Sequence, residues 1–174
     1  ATTSDLPAAK NSSKSIISIA EASNNRFIVS GAEDGMLGVW NLTTAKQIKT
    51  FKGAKPGTMF KAHQKAITAV AVTSDGRFIL SGSKDATLRL WNLATTKRLL
   101  MLNGHVDEVT CVAITPDSRF AISGSYDKTL RLWNLSTGEC LWTFEGHEKR
   151  IHAVAMTPDA RFAISGSEDA TLRL

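Results

Sequence analysis

Apolar positions along this chain recur with a period of two, in runs of five to eight residues separated by turn residues. "ITAVAVTS" (67–74) alternates apolar and small or polar residues, and so do "RFILSGS" (77–83), "TLRLWNL" (87–93) and "RLLMLNG" (98–104). Alternate side chains of an extended chain face opposite sides, so each run is predicted to be a short strand with a buried face. The gaps are turns: "SDG" at 74–76, "TPDS" at 115–118 and "TPDA" at 157–160, the proline presetting φ in the last two. No run has apolar spacing of three and four residues over helical length, so the chain is predicted to be all-β.

The strand pattern repeats. His63, His105 and His147 are 42 residues apart, and so are Ser81, Ser123 and Ser165, and Asp85, Asp127 and Asp169. The 28 residues from His105 and the 28 from His147 share 18 identities. "SGAEDGMLGVWNL" at 30–42 is an earlier copy, displaced by 51 residues from "SGSKDATLRLWNL" at 81–93; the nine extra residues fall around "AKPGTMFKA" (54–62). The last ten residues, "SGSEDATLRL", begin the phrase a fourth time and stop before its Trp.

Four short antiparallel strands per 42 residues make one blade of a propeller. With "GH" at 104–105 and 146–147 and Trp-Asn at 40–41, 91–92 and 133–134, the chain resembles the WD-repeat (Trp-Asp repeat) β-propeller family over about residues 15–174. The resemblance implies three complete blades and a truncated fourth, within a larger propeller of about seven. The expected divisions are an N-terminal segment (1–14), blade 1 (15–53), an inserted basic loop (54–62), blade 2 (63–104), blade 3 (105–146) and an incomplete blade 4 (147–174). Blade 1 departs from the pattern: Ser12 stands where the His belongs, and that blade is expected to be the least rigid. Both end blades are expected to expose an apolar face, to be covered by the rest of the propeller or by another copy.

In the family, His, Ser, Asp and Trp converge in a hydrogen-bonded tetrad. The matching residues are His63, Ser81, Asp85 and Trp91; His105, Ser123, Asp127 and Trp133; and His147, Ser165 and Asp169. A buried indole N–H needs an acceptor, and a hydroxyl can accept it while donating onward to an imidazole held by a carboxylate. A Ser–His–Asp hydrolase is the competing reading. It fails on the lack of a G-x-S-x-G elbow and on the oddity of several copies of one active site. No metal site is expected, because three of the four histidines fall in separate blades. "GAEDG" (31–35) lacks the Lys-Ser/Thr of a phosphate loop, and no cofactor is implied. "NSS" at 11, "NLT" at 41 and "NLS" at 134 match glycosylation acceptors, but the last two follow a Trp as turn chemistry.

Composition sharpens this in two places. The formal charge of +5 is concentrated: Lys46, Lys49, Lys52, Lys55, Lys61 and Lys65 occur without an acid between them, and the remainder carries 15 basic and 16 acidic residues. Lys52, Lys55 and Lys61 are therefore candidates for contact with an acidic or phosphorylated partner. Nucleic acid is the weaker form, since no aromatics interleave with the lysines. Cys111 and Cys140, 29 residues apart, are expected to be buried thiols in a reducing, cytoplasmic setting. No apolar run approaches the ~20 residues of a membrane span and no signal-peptide pattern opens the chain. Trp142, replacing Leu100 of the previous repeat, is either packed beneath a neighbour, the preferred reading, or part of an exposed contact.

With the recurring polar groups consumed internally, no chemistry remains, and the expected role is a non-catalytic scaffold for protein or peptide partners. Similar propellers bind peptides through the residue before each turn Asp, here Glu33, Lys84, Tyr126 and Glu168. They also use the residue just inside each first strand, here Thr68, Thr110 and His152. The alternative is the regulatory propeller of a larger signalling enzyme or nucleotide-binding protein; a nucleic-acid module acting through the basic loop ranks below both.

Overall fold

The alternating runs fold as strands, each pairing with the next through a tight turn. A computed structural model describes residues 15–22, 26–44, 46–51 and 62–174, among which there is no helix. The first sheet contains β1 (Ile16–Glu21), β2 (Phe27–Ala32), β3 (Leu37–Asn41) and β4 (Gln47–Phe51). The second contains β5 (Ile67–Val72), β6 (Phe78–Ser83), β7 (Leu88–Asn92) and β8 (Arg98–Leu102). The third contains β9 (Val109–Ile114), β10 (Phe120–Ser125), β11 (Leu130–Asn134) and β12 (Cys140–Phe144). The fourth has three strands, β13 (Ile151–Met156), β14 (Ala163–Ser167) and β15 (Leu172–Arg173). All are antiparallel, with strand order equal to chain order. These are the blades of a β-propeller, numbered 1 to 4 below.

The first strands β1, β5, β9 and β13 lie side by side in succession, so consecutive blades meet along their inner strands. The core is the set of junctions between blades. At the junction of blades 1 and 2, Val29, Leu37 and Phe51 face Ile67, Ile79 and Trp91. At the next, Leu80, Leu88 and Leu102 face Val109, Ala121 and Trp133. Close approach is set by glycine in the second strands of blades 1 to 3: a Cβ on Gly82 would lie 2.6 Å from Val109, and one on Gly124 the same distance from Ile151.

Each first strand carries a bulge that skips one residue: Ile17, Thr68, Thr110 and His152 sit between the paired positions on either side. A bulged residue escapes the ladder and is re-aimed, and here the Thr68 and Thr110 hydroxyls reach the next blade.

Two expectations are corrected. Trp142 is 66% exposed. Leu100, at the matching place in blade 2, packs against the cluster containing Leu135, whereas no described residue covers Trp142. The free thiols Cys111 and Cys140 are half-buried rather than buried; burial raises the Cys111 pKa above its ordinary value. Both end blades do expose apolar residues, among them Ile19 at 67% and Leu172 at 72%.

Candidate functional site

In blades 2, 3 and 4 the loop before the inner strand brings a His under the turn between the second and third strands, where the Asp sits. In blade 2, Trp91 Nε1 donates to Ser81 Oγ at 2.9 Å, and Ser81 Oγ lies 2.7 Å from His63 Nε2. His63 Nδ1 lies 3.0 Å from Asp85 Oδ2. Blade 3 repeats the chain, with Trp133 to Ser123 at 2.8 Å, Ser123 to His105 at 2.8 Å and His105 to Asp127 at 2.7 Å. Blade 4 has Ser165 to His147 at 2.9 Å and His147 to Asp169 at 2.8 Å. In blade 1 Trp40 donates to Ser30 at 2.8 Å; Ser12 lies outside the described residues.

One tautomer satisfies the whole line. The serine hydroxyl accepts from indole and donates to Nε2, and Nδ1–H donates to the carboxylate. Burial holds the His63 pKa below its ordinary value of 6.5, outweighing the Asp85 carboxylate that favours protonation. Burial alone would raise the Asp85 and Asp127 carboxyls, but the histidine bonds, with those from Thr87 and Thr129, outweigh it and hold both well below the usual carboxylate range. Asp169 is lowered too, chiefly by Thr171. Each Asp also accepts a backbone N–H from the residue after its His: Gln64, Val106 and Glu148. The carboxylate is thus an ionised clasp between loop and turn. The serine is 0% exposed in blades 2 and 3, with its proton committed to His and no reach to a substrate.

Sequence reading passed over Thr87, Thr129 and Thr171, which recur every 42 residues and could have been found that way. It also missed Arg89, whose guanidinium donates to the Ala62 carbonyl at 2.5 Å and meets Asp85 at 3.3 Å. The Nε atoms of Arg89 and Arg131 are buried without a partner.

The other candidates lie around the same end of the blades. Thr68 donates to the Val109 carbonyl of the next blade at 2.5 Å, and Thr110 to that of Ile151 at 2.6 Å, so both hydroxyls tie neighbouring blades. Lys84 reaches across to Glu108 at 3.2 Å. Tyr126 meets His152 edge-on, their ring centroids 5.9 Å apart, and Arg150 of blade 4 stacks over the Tyr126 ring at 4.3 Å. Glu33 is exposed and donates its N–H to the Ser15 carbonyl, and Glu168 is exposed and donates to that of Arg150. Lys52, Lys55 and Lys61 lie outside the described residues. Lys49, from the same basic stretch, donates to the Leu93 and Ala94 carbonyls at 2.8 Å each. Asn41 and Asn134 accept backbone N–H groups of Thr43 and Ser136 in turns after the Trp. Among the described residues, no helix is long and apolar enough to cross a membrane.

A family model described as "WD domain, G-beta repeat" matches residues 6–41, 54–92, 96–134 and 138–174. The stretch 96–134 contains β8 to β11, so one sequence repeat takes its first strand from one blade and three from the next. Among curated relatives, the chain is 42% identical over 77 residues to small ribosomal subunit protein RACK1z of Oryza sativa subsp. japonica. It is 35% identical over 72 residues to nuclear distribution protein PAC1-2 of Uncinocarpus reesii, and 32% over 80 residues to WD repeat-containing protein 18 of Danio rerio. These matches cover 41%, 41% and 44% of this chain, and 23%, 14% and 19% of the respective relatives. The matched stretch thus spans less than a quarter of each relative's length.

Proposed function

The chain belongs to the WD-repeat family, and from that membership we propose that it is a non-catalytic interaction scaffold that binds protein or peptide partners. The binding face is the end of the blades that carries the His loops and Asp turns. One observation carries the reading. The His and Ser groups that recur in blades 2 to 4 are buried and spent on their own networks, whereas the position before the Asp changes from Lys84 to Tyr126 to Glu168 along those blades, with Glu33 in blade 1. A rigid frame with varied side chains at its rim suits recognition rather than catalysis. Thr68 and Thr110 are framework residues on this reading, their hydroxyls already engaged. His152 remains a contact residue. Lys52, Lys55 and Lys61 form a second, electrostatic contact for an acidic or phosphorylated partner. The relative named as a small ribosomal subunit protein is itself part of an assembly, a role of the kind proposed here. The exposed apolar faces of blades 1 and 4 call for cover by further blades or by a second copy.

The test is a pair of photo-cross-linking residues placed at the two ends of β10, at Tyr126 and at Arg119. Cross-links to a partner are expected from position 126 and not from 119; cross-links from 119 alone would overturn the choice of face. A hydrolytic activity lost in folded Ser123→Ala would overturn the non-catalytic reading.

A further inference from the structure

Side chains before the Asp turns cross to the next blade, and the chemistry of each crossing differs. Between blades 2 and 3 it is an ion pair, Lys84 with Glu108, in which the charges cancel. Between blades 3 and 4 the acid is replaced by Arg150 and the lysine by Tyr126, so the crossing is a cation stacked on a ring at 4.3 Å. Arg150 is exposed, and none of the ion pairs among the described residues involves it. Glu168, whose N–H binds the Arg150 carbonyl, leaves that guanidinium unpaired. Stacking fixes the plane of a guanidinium while leaving its N–H fork directed outward, the geometry that suits bidentate contact with a planar or tetrahedral anion. His152, at the bulge of β13, meets the Tyr126 ring edge-on, the centroids 5.9 Å apart, and carries a further ring nitrogen to the same place.

We propose that Tyr126, Arg150 and His152 form a subsite for an anionic side chain, a carboxylate or a phosphoryl group, of a bound peptide. This deepens the peptide-binding reading and rests on it. Arg150 supplies the paired donors, Tyr126 holds it in plane, and the neutralised Lys84–Glu108 crossing beside it takes no anion. The subsite thereby sets where along the face an acidic residue of the partner must fall.

The experiment is an NMR titration of the protein with three short peptides identical but for a central glutamate, phosphoserine or serine. Both anionic peptides are expected to shift the Arg150 Nε–H and the Tyr126 and His152 amides saturably, leaving the Lys84 amide in place. Phosphoserine binding tighter than glutamate assigns the subsite to phosphoryl groups, and equal binding assigns it to carboxylates. Arg150→Gln, on the surface and away from the tetrads, is expected to weaken both by about fivefold to tenfold. Arg150→Lys, which keeps the charge without the fork, is expected to fall between. Unchanged binding by Arg150→Gln, or equal binding of the serine peptide, overturns the subsite while leaving peptide binding at this face intact. Failure of all three peptides, together with no cross-link from position 126, overturns both.

Discussion

The junction between blades 2 and 3 and the junction between blades 3 and 4 share one repeat as far as Leu174, the second without the Trp and fourth strand that follow in blade 3, and are filled very differently. In the first, Trp133 is fully buried against Leu80, Leu88 and Leu102, its indole N–H bound to Ser123. In the second, Ile122, Leu130, Leu132 and Phe144 of blade 3 face a cleft of about 750 Å³ reaching Ala163, Ser165 and Arg173 of blade 4. No indole enters that cleft among the described residues, and Ser165 is held by His147 alone. Leu88 and Leu102 are completely covered; Leu130 is half-buried and Phe144 exposed. The tetrad therefore has two separable functions. His, Ser and Asp fix loop to turn within a blade in either case, while Trp is the plug that makes two blades one core.

The sharpest way to break the comparison is to empty the filled junction. Trp133→Ala removes a fully buried indole together with its hydrogen bond, and the expected loss is about 3–5 kcal/mol in chemical denaturation. The altered junction should resemble the open one and take up an apolar dye. A loss below about 1 kcal/mol would show that the leucines on either side close over the gap and that the plug is dispensable.

The histidines separate the two functions. His105→Ala leaves Asp127 without its Nδ1–H donor and Ser123 without its acceptor, and the expected cost is about 1–3 kcal/mol. His147→Ala breaks the same two bonds in blade 4, but Ser165 there holds no indole. Its expected cost is smaller, read as a smaller drop in denaturation midpoint under the same conditions. Equal losses would mean that the network's value lies wholly in the turn and that coupling to the Trp adds nothing.

Glycine tests how close the blades lie. A methyl group at Gly124 would meet Ile151 and the Cys111 sulfur at 2.6 and 2.7 Å, so Gly124→Ala is expected to cost about 1–3 kcal/mol by forcing blades 3 and 4 apart. At Gly166, one period on, the nearest atom to such a methyl is on Leu172 of the same blade at 3.5 Å. Gly166→Ala is expected to fall within about 0.5 kcal/mol of the parent. A large loss at Gly166 as well would place a neighbour against blade 4.

What the sequence made legible was whatever recurs. The 42-residue spacing of His105 and His147, with their Ser and Asp, gave both the blade and the partners within it, because a buried polar network must be rebuilt in every copy. Arg150 was illegible for the opposite reason. The matching residues are Ala66 and Glu108, so no period marks it, and its importance arises only from Tyr126 lying across the junction. Thr68 and Thr110 were legible as special but not as to use: a bulge re-aims them, and whether the hydroxyl meets a partner or the next blade's carbonyl depends on packing. Trp142 misled because an aromatic in an alternating run reads as buried, and its cover would have to come from across the open junction.

The smallest expected effect asks how far the contrast between junctions extends. The residue after each turn Asp adopts a left-handed conformation in every blade: Gly35 at φ 80°, Ala86 at 64°, Lys128 at 72° and Ala170 at 64°. Only blade 1 uses glycine there; a side chain in this region costs roughly 1–2 kcal/mol, partly offset by the greater entropy that glycine loses on folding. Lys128→Gly and Ala170→Gly are therefore each expected to stabilise by about 0.5–1 kcal/mol. The hydrogen bonds that close the turn come from its own blade, through Asp127 and Thr129, or Asp169 and Thr171. The two gains should accordingly be equal, although among the described residues blade 3 has a neighbouring blade on each side and blade 4 on one. Unequal gains in parallel denaturation curves would show that strain in the turn is transmitted to the junction, and that the two functions of the tetrad are not separable after all.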